Sequence, residues 1–116
     1  MATVTRTPWC GTFTLTTAAT AYRLSDLLAA ATNPPRVPAN GPMRAQFLTI
    51  QADVNAGGAR FYVGNSDVSS TNKGWELVAT QVLPIYSMDS NLISLNDIYI
   101  TSNTNSVKIN VSFITR

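Results

Sequence analysis

Residues 59–78 read ARFYVGNSDVSSTNKGWELV. Arg60-Phe61-Tyr62-Val63 is a compact run of strand formers, and Gly64 breaks it. From Asn65 to Lys73 every residue except Val68 is polar or turn-prone. Gly74 closes that loop, and Trp75-Glu76-Leu77-Val78 opens a second strand. Side chains alternate across a strand, so Phe61, Val63, Trp75 and Leu77 are expected to face inward. Two short strands around a polar loop predict β structure here, with the loop displayed at one end of a sandwich.

The same signal recurs on both sides. Downstream, Val107, Ile109, Val111 and Phe113 alternate with Lys108, Asn110, Ser112 and Ile114, the clearest strand in the chain. Gln81 to Tyr86 is a strand containing Pro84, which belongs at an edge or a bulge. Leu92–Leu95 and Ile98–Thr101 follow, with Ile98 and Ile100 on one face and Asn96-Asp97 as the turn between them. Upstream, Met43 to Val54 places Leu48, Ile50, Ala52 and Val54 on one side. Phe47 stands on the other side, among polar residues, as a candidate contact for a partner. Asn55-Ala56-Gly57-Gly58 reads as the turn of a hairpin joining that strand to Arg60–Val63.

Nearer the N-terminus, Gly11 to Thr17 alternates around Phe13 and Leu15, and Ala21-Tyr22-Arg23 is a second short strand. Leu24, Leu27, Leu28 and Ala31 lie at helical spacing, with Ser25 as the expected cap and Asp26 at the positive end of the dipole. Pro34-Pro35 ends the helix and opens a proline-rich loop, NPPRVPANGP, over residues 33–42. Residues 1–10 read as an extended arm because Pro8 lacks an N–H. Trp9 in that arm either docks on the domain's own core or anchors a partner subunit.

The fold expected is all-β, an antiparallel β-sandwich or jelly roll of about eight or nine strands with one short helix. One domain, residues 11–116, follows the arm. Its expected core is Phe13, Leu15, Leu28, Leu48, Ile50, Phe61, Val63, Trp75, Leu77, Ile98, Ile100, Val107, Ile109, Val111 and Phe113.

Composition bounds the function. The 116 residues are 45% hydrophobic and only 12% charged, where about 25% charged is usual, which argues against disorder. Thr, Ser and Asn supply 35 residues, so the surface is coated with uncharged polar groups suited to packing on other proteins. The net charge is +2 and the basic residues are scattered, unlike a nucleic-acid face. The chain has no histidine and a single cysteine, Cys10, which rules out His-based triads and an intrachain disulfide. The loop residues Asn65, Asp67, Ser69 and Asn72 superficially suggest a calcium loop but supply one carboxylate. No phosphate loop, zinc pattern or nucleophile elbow is present. Neither catalysis, a metal nor any cofactor is expected. The N-terminus lacks a signal-like apolar region, and no apolar run approaches the length of a membrane span, so folding in a cytoplasm with no membrane partner is expected.

Several segments resemble small structural proteins of tailed bacteriophages. They are the strand end Arg60-Phe61-Tyr62-Val63-Gly64, the loop Val68-Ser69-Ser70-Thr71-Asn72 to Gly74, and the pair Leu92, Ser94, Leu95, Asp97-Ile98-Tyr99-Ile100. A closing strand like Val107–Phe113 completes the pattern, which covers about half the chain. The resemblance implies a β-sandwich on phage capsids or tails, commonly a trimeric head-decoration or cement protein, or part of a fibre or spike. Localisation in the virion, self-association as a homotrimer, and contact with the major capsid or other virion proteins are the corresponding expectations. Arg6, Pro8, Trp9, Arg36, Val37 and Phe47 are then the candidate interface residues. A sugar-binding β-sandwich module, using Tyr22, Trp75, Tyr86 and Tyr99, is the alternative from another class.

Overall fold

The computed structural model describes residues 7–31, 44–86 and 93–115. In chain order the strands are β1 (Thr7–Leu15), β2 (Tyr22–Arg23), β3 (Arg44–Ala45), β4 (Phe47–Ala52), β5 (Phe61–Gly64), β6 (Trp75–Leu77), β7 (Val82–Tyr86), β8 (Ile93–Ser94), β9 (Tyr99–Ser102) and β10 (Val107–Thr115). One helix, α1 (Leu24–Ala29), follows β2.

Two four-stranded antiparallel sheets face each other, ordered β1-β10-β4-β7 and β2-β9-β5-β6, with β3 and β8 forming a small ladder. Successive large strands pass from one sheet to the other at every connection except β5 to β6. That wrapping, with the first strand paired to the last, is the jelly roll. The stretch at 59–78 is therefore the one hairpin that stays within a sheet.

The core follows from period-two patterning. On β4 the residues alternate between half-buried and fully buried, with Leu48, Ile50 and Ala52 inward. On β10, Val107, Ile109, Val111 and Phe113 are buried, and β10 is paired on both sides. Phe13, Leu15, Leu28, Phe61, Val63, Leu77 and Ile100 are buried with them, as are Leu24, Ala45, Ala59 and Leu95, and Ile98 packs half-buried against this core. Each large side chain buried in full contributes about 1.5–3 kcal/mol.

Four expectations are corrected. β1 begins at Thr7, so Thr7 to Cys10 belong to the sheet and not to a separate arm. Pro8 is accommodated because β1 is an edge strand, where a residue without an N–H is tolerated. β4 and β5 do not form a hairpin. A 3-10 turn at Val54–Ala56, capped by the Asp53 carboxylate on the Asn55 N–H, sends the chain to the other sheet and leaves Val54 68% exposed. Ser25 does not cap α1, which starts one residue earlier, and the Leu24 N–H donates to the Ile98 carbonyl.

Trp75 is the fourth correction, and it bears on function. Register places it opposite Val63 on the core-facing side, yet it is 58% exposed. It is the first residue of β6, the edge strand of its sheet, so no further strand lies beyond to cover it.

Candidate interaction surface

The two outer faces of the sandwich differ in chemistry. On the β2-β9-β5-β6 sheet the outward residues include Arg23, Tyr99 and Glu76. Arg23 Nε donates to the Tyr99 hydroxyl at 2.8 Å, and Arg60 pairs with Glu76 at 3.0 Å. Tyr62 also points outward but is buried, with Val68 close by on Gly64 and the Lys73 ammonium 6.0 Å from the Tyr62 ring centre. The loop of residues 65–73 thus folds back over its own sheet.

The outer face of the β1-β10-β4-β7 sheet is nearly free of charge. Register lines up Pro8, Ile114, Phe47 and Tyr86 across all four strands. The next row is Cys10, Ser112, Thr49 and Pro84, and the next is Thr12, Asn110, Gln51 and Val82. Among the described residues, charge enters only farther along, with Lys108 and with Asp53, whose carboxylate accepts from Asn110 Nδ2 at 3.4 Å. Phe47 and Tyr86 stack with ring centres 5.5 Å apart. Tyr86 is 56% exposed and Val82 49%.

At the Ile114 end of this sheet lies an apolar groove of about 340 Å³, lined among the described residues by Trp9, Cys10, Phe47, Ser112, Phe113 and Ile114. Its shape depends on Trp9. The indole lies across Gly11, where a Cβ would come within 2.5 Å of the ring. It also stacks on Phe113 (5.3 Å) and Phe13 (5.9 Å). Gly11 is thus the residue that lets a large ring lie flat on the sheet.

Of the candidate interface residues, Phe47 and Trp9 meet at this groove, and Pro8 lies in register beside Ile114. Trp9 is half-buried against the domain's own core while also lining the groove. Arg6, Arg36 and Val37 fall outside the described residues. The sequence reading missed Ile114 and Val82. The available signal was β7 itself: VLPIY contains no polar residue, so both of its faces are apolar.

Among the described residues no Asp, Glu, Lys or Arg side chain lines the apolar groove. Hydrogen bonds from Thr16 and Thr17 hold the Tyr22 phenol below its ordinary value, and the Tyr99 hydroxyl raises Arg23. In the 65–73 loop the oxygens of Asn65 and Ser69 accept backbone N–H groups of the loop itself, and Asn72 Nδ2 donates to the Asp67 carbonyl. That is turn chemistry. Among the described residues no three His, Cys, Asp or Glu side chains group as metal ligands, and no helix is long and apolar enough to cross a membrane. Comparison with family models, curated proteins and solved structures gives no match.

Proposed function

We propose that this chain is a structural subunit of a bacteriophage virion, a capsid decoration or cement protein that stabilises the shell through protein–protein contacts. The observation that carries the reading is the run of three described rows without charge on this outer face, with Ile114, Phe47 and Tyr86 in one row across the sheet. Monomeric soluble domains seldom leave large apolar patches open, and interface cores are depleted in charge and enriched in aromatics. The resemblance of the 60–74, 92–100 and 107–113 segments to phage structural proteins points the same way and brings the expectation of a homotrimer. A cement subunit acts by mass action: it binds the assembled shell, so bound subunits raise the stability of the shell. A tail or fibre position is compatible with the same surface.

Mass spectrometry of purified particles tests the proposal. The chain should be present at a fixed stoichiometry, and its absence from particles would overturn the reading. Immunogold labelling then separates capsid from tail.

One observation favours a second reading, a sugar-binding module. Trp75 is exposed and follows Gly74, which helps line a small cavity with Asn65 and Asn72. An exposed aromatic ring one residue from an amide-lined cavity suits a pyranose face. A glycan array on which the wild type and Trp75→Ala give the same blank result would dispose of it.

A further inference from the structure

β1 is an edge of its sheet, and the direction of its backbone groups follows from the strands beside it. The Asp53 N–H donates to the Lys108 carbonyl, and the Ala52 N–H donates to the Gln81 carbonyl. In an antiparallel sheet the N–H and C=O of one residue point to the same side, and that side alternates along the strand. On β10 the even-numbered residues therefore turn to β4 and the odd-numbered ones to β1. On β1, Gly11, Phe13 and Leu15 then bond to β10, while Pro8, Cys10, Thr12 and Thr14 turn to the open edge. The same alternation turns Val82, Pro84 and Tyr86 of β7 to the opposite open edge. Both prolines thus stand where the ladder needs no N–H.

The open edges differ. Pro84 interrupts the middle of β7. On β1 the proline comes at the start, and Cys10, Thr12 and Thr14 each present an N–H and a C=O beyond it. These backbone groups have no partner among the described residues, and all three residues are exposed. β2 and β6, the edges of the other sheet, are two and three residues long. Edges are usually guarded by charge, proline or a bulge. From Cys10 to Thr14 β1 has no charge and no proline, and its register with β10 runs without a bulge.

We propose that the open edge of β1 pairs antiparallel with the same edge of a second copy of this chain, in a register centred on Thr12. Thr12 then faces its own counterpart, and Cys10 faces Thr14 of the other copy. Each facing pair exchanges both of its N–H···O bonds, and no proline falls within the ladder. The strands themselves select the occupant. An added strand must offer free N–H and C=O groups at every second residue, with uncharged side chains to lie beside Cys10, Thr12 and Thr14. Among the described strands only β1 meets this. β4, β5, β9 and β10 are paired on both sides, Pro84 breaks β7, and β2, β3, β6 and β8 are too short. Facing threonines are favourable cross-strand neighbours, and no like charges meet. Such a contact is two-fold and joins copies in pairs, so a threefold contact would be made elsewhere on the surface. Cys10, Thr12 and Thr14 all carry their side chains to the outer face, so the charge-free rows of both copies lie on one side of the joined sheet. The pairing does not depend on the virion reading.

Sedimentation velocity over a concentration series reads the pairing, with circular dichroism to confirm folding. Wild-type protein should form dimers. Thr12→Pro removes the central N–H on the open side and leaves the backbone bonds to β10 in place, so association should weaken at least about tenfold. If Thr12→Pro does not fold, Thr12→Lys replaces it, because it sets like charges directly opposite each other. Thr14→Cys reads the register. Its new thiol lies opposite Cys10 of the other copy, with Cα atoms about 5.5 Å apart, within the range of a disulfide. Within one copy the two positions are about 13 Å apart along the strand, too far to bridge. Mild oxidation with glutathione disulfide should therefore give a covalent dimer of Thr14→Cys and none of wild type. Wild type that stays monomeric throughout would overturn the pairing, whereas presence in particles is read separately. Wild type and Thr12→Pro that associate equally well would overturn the edge contact and leave association through the outer face standing. A covalent wild-type dimer through Cys10 would overturn the register centred on Thr12.

Discussion

A Cβ placed on Gly74 would run into the carbonyl oxygen of Val63, and the backbone there is left-handed at φ +62°. Left-handed conformation costs a non-glycine residue about 1–2 kcal/mol, and forced overlap adds about 1–3 kcal/mol. Gly74→Ala should therefore lose about 2–5 kcal/mol, read as a lower urea midpoint with an unchanged slope. The residue it launches, Trp75, is the position where alternation misled. Period two correctly says which side of the strand a side chain leaves, and Trp75 does leave on the side of Val63. Burial also requires something opposite, and an edge strand has no such cover at its end. Nothing local in GWELV marks β6 as an edge. The two tryptophans should separate in solution. Acrylamide should quench Trp75 strongly and Trp9 weakly, so a Trp75→Phe protein should show blue-shifted, poorly quenched emission and a Trp9→Phe protein the reverse. Equal accessibility of the two would contradict the stacking of Trp9 on Phe13 and Phe113.

Among the elements, those with strict alternation were readable almost residue by residue. β4 and β10 match because each has one face on the core and one on the surface, so hydropathy and geometry share a period. Phe47 stood out in sequence as an aromatic on the polar face, and it is an aromatic on the outer face, stacked on Tyr86. Proline obscured β1. Pro8 suggested a break, but an edge strand needs only one side of its ladder, so the strand continues back to Thr7. This has a consequence for truncation. A detachable arm could be removed without cost, whereas deleting residues 1–10 strips four ladder positions and the Trp9 ring from the core margin. Loss of a large aromatic costs about 3–5 kcal/mol when fully buried, and each kcal/mol moves the melting temperature of a domain this size by about 4 °C. For the half-buried Trp9 with its ladder, a fall of at least about 10 °C is expected by circular dichroism. An unchanged melt would restore the separate arm. The β4–β5 connection was misread for a related reason. Glycines at 57 and 58 signal a turn but not whether the chain returns to the same sheet. That choice is made by the 3-10 turn at Val54–Ala56 and by which face Ala59 must bury.

At the scale of the whole molecule, sheet order was the part that sequence could not show, because it joins residues at the two ends of the chain. Thr7 pairs with Thr115, and each sheet draws its strands from both halves of the sequence. Such non-local pairing predicts slow folding, on the order of milliseconds to seconds, since loop closure precedes any return from contacts. It also predicts that a chain ending at residue 106 stays unfolded, because β10 is the strand that joins β1 to β4. Limited proteolysis of that fragment measures this directly, and a resistant fragment would contradict the topology. The same wrapping segregates charge: Arg23, Arg60 and Glu76 go to one sheet, and among the described residues the other sheet's outer face keeps Lys108 and Asp53 at one end. Association through the charge-free rows of that face should respond to salt in a diagnostic way. Surface charge pairs weaken as the Debye length contracts from about 10 Å at 0.1 M to about 3 Å at 1 M, and nucleic-acid contacts lose orders of magnitude over a smaller range. Contacts made by Phe47, Ile114 and Tyr86 have no charge to screen, and sulfate strengthens apolar burial by exclusion from the surface. The association constant should therefore change less than about threefold between 0.1 and 1 M sodium chloride and rise in sodium sulfate. A steep fall with sodium chloride would place the contact on the Arg23, Arg60 and Glu76 sheet instead.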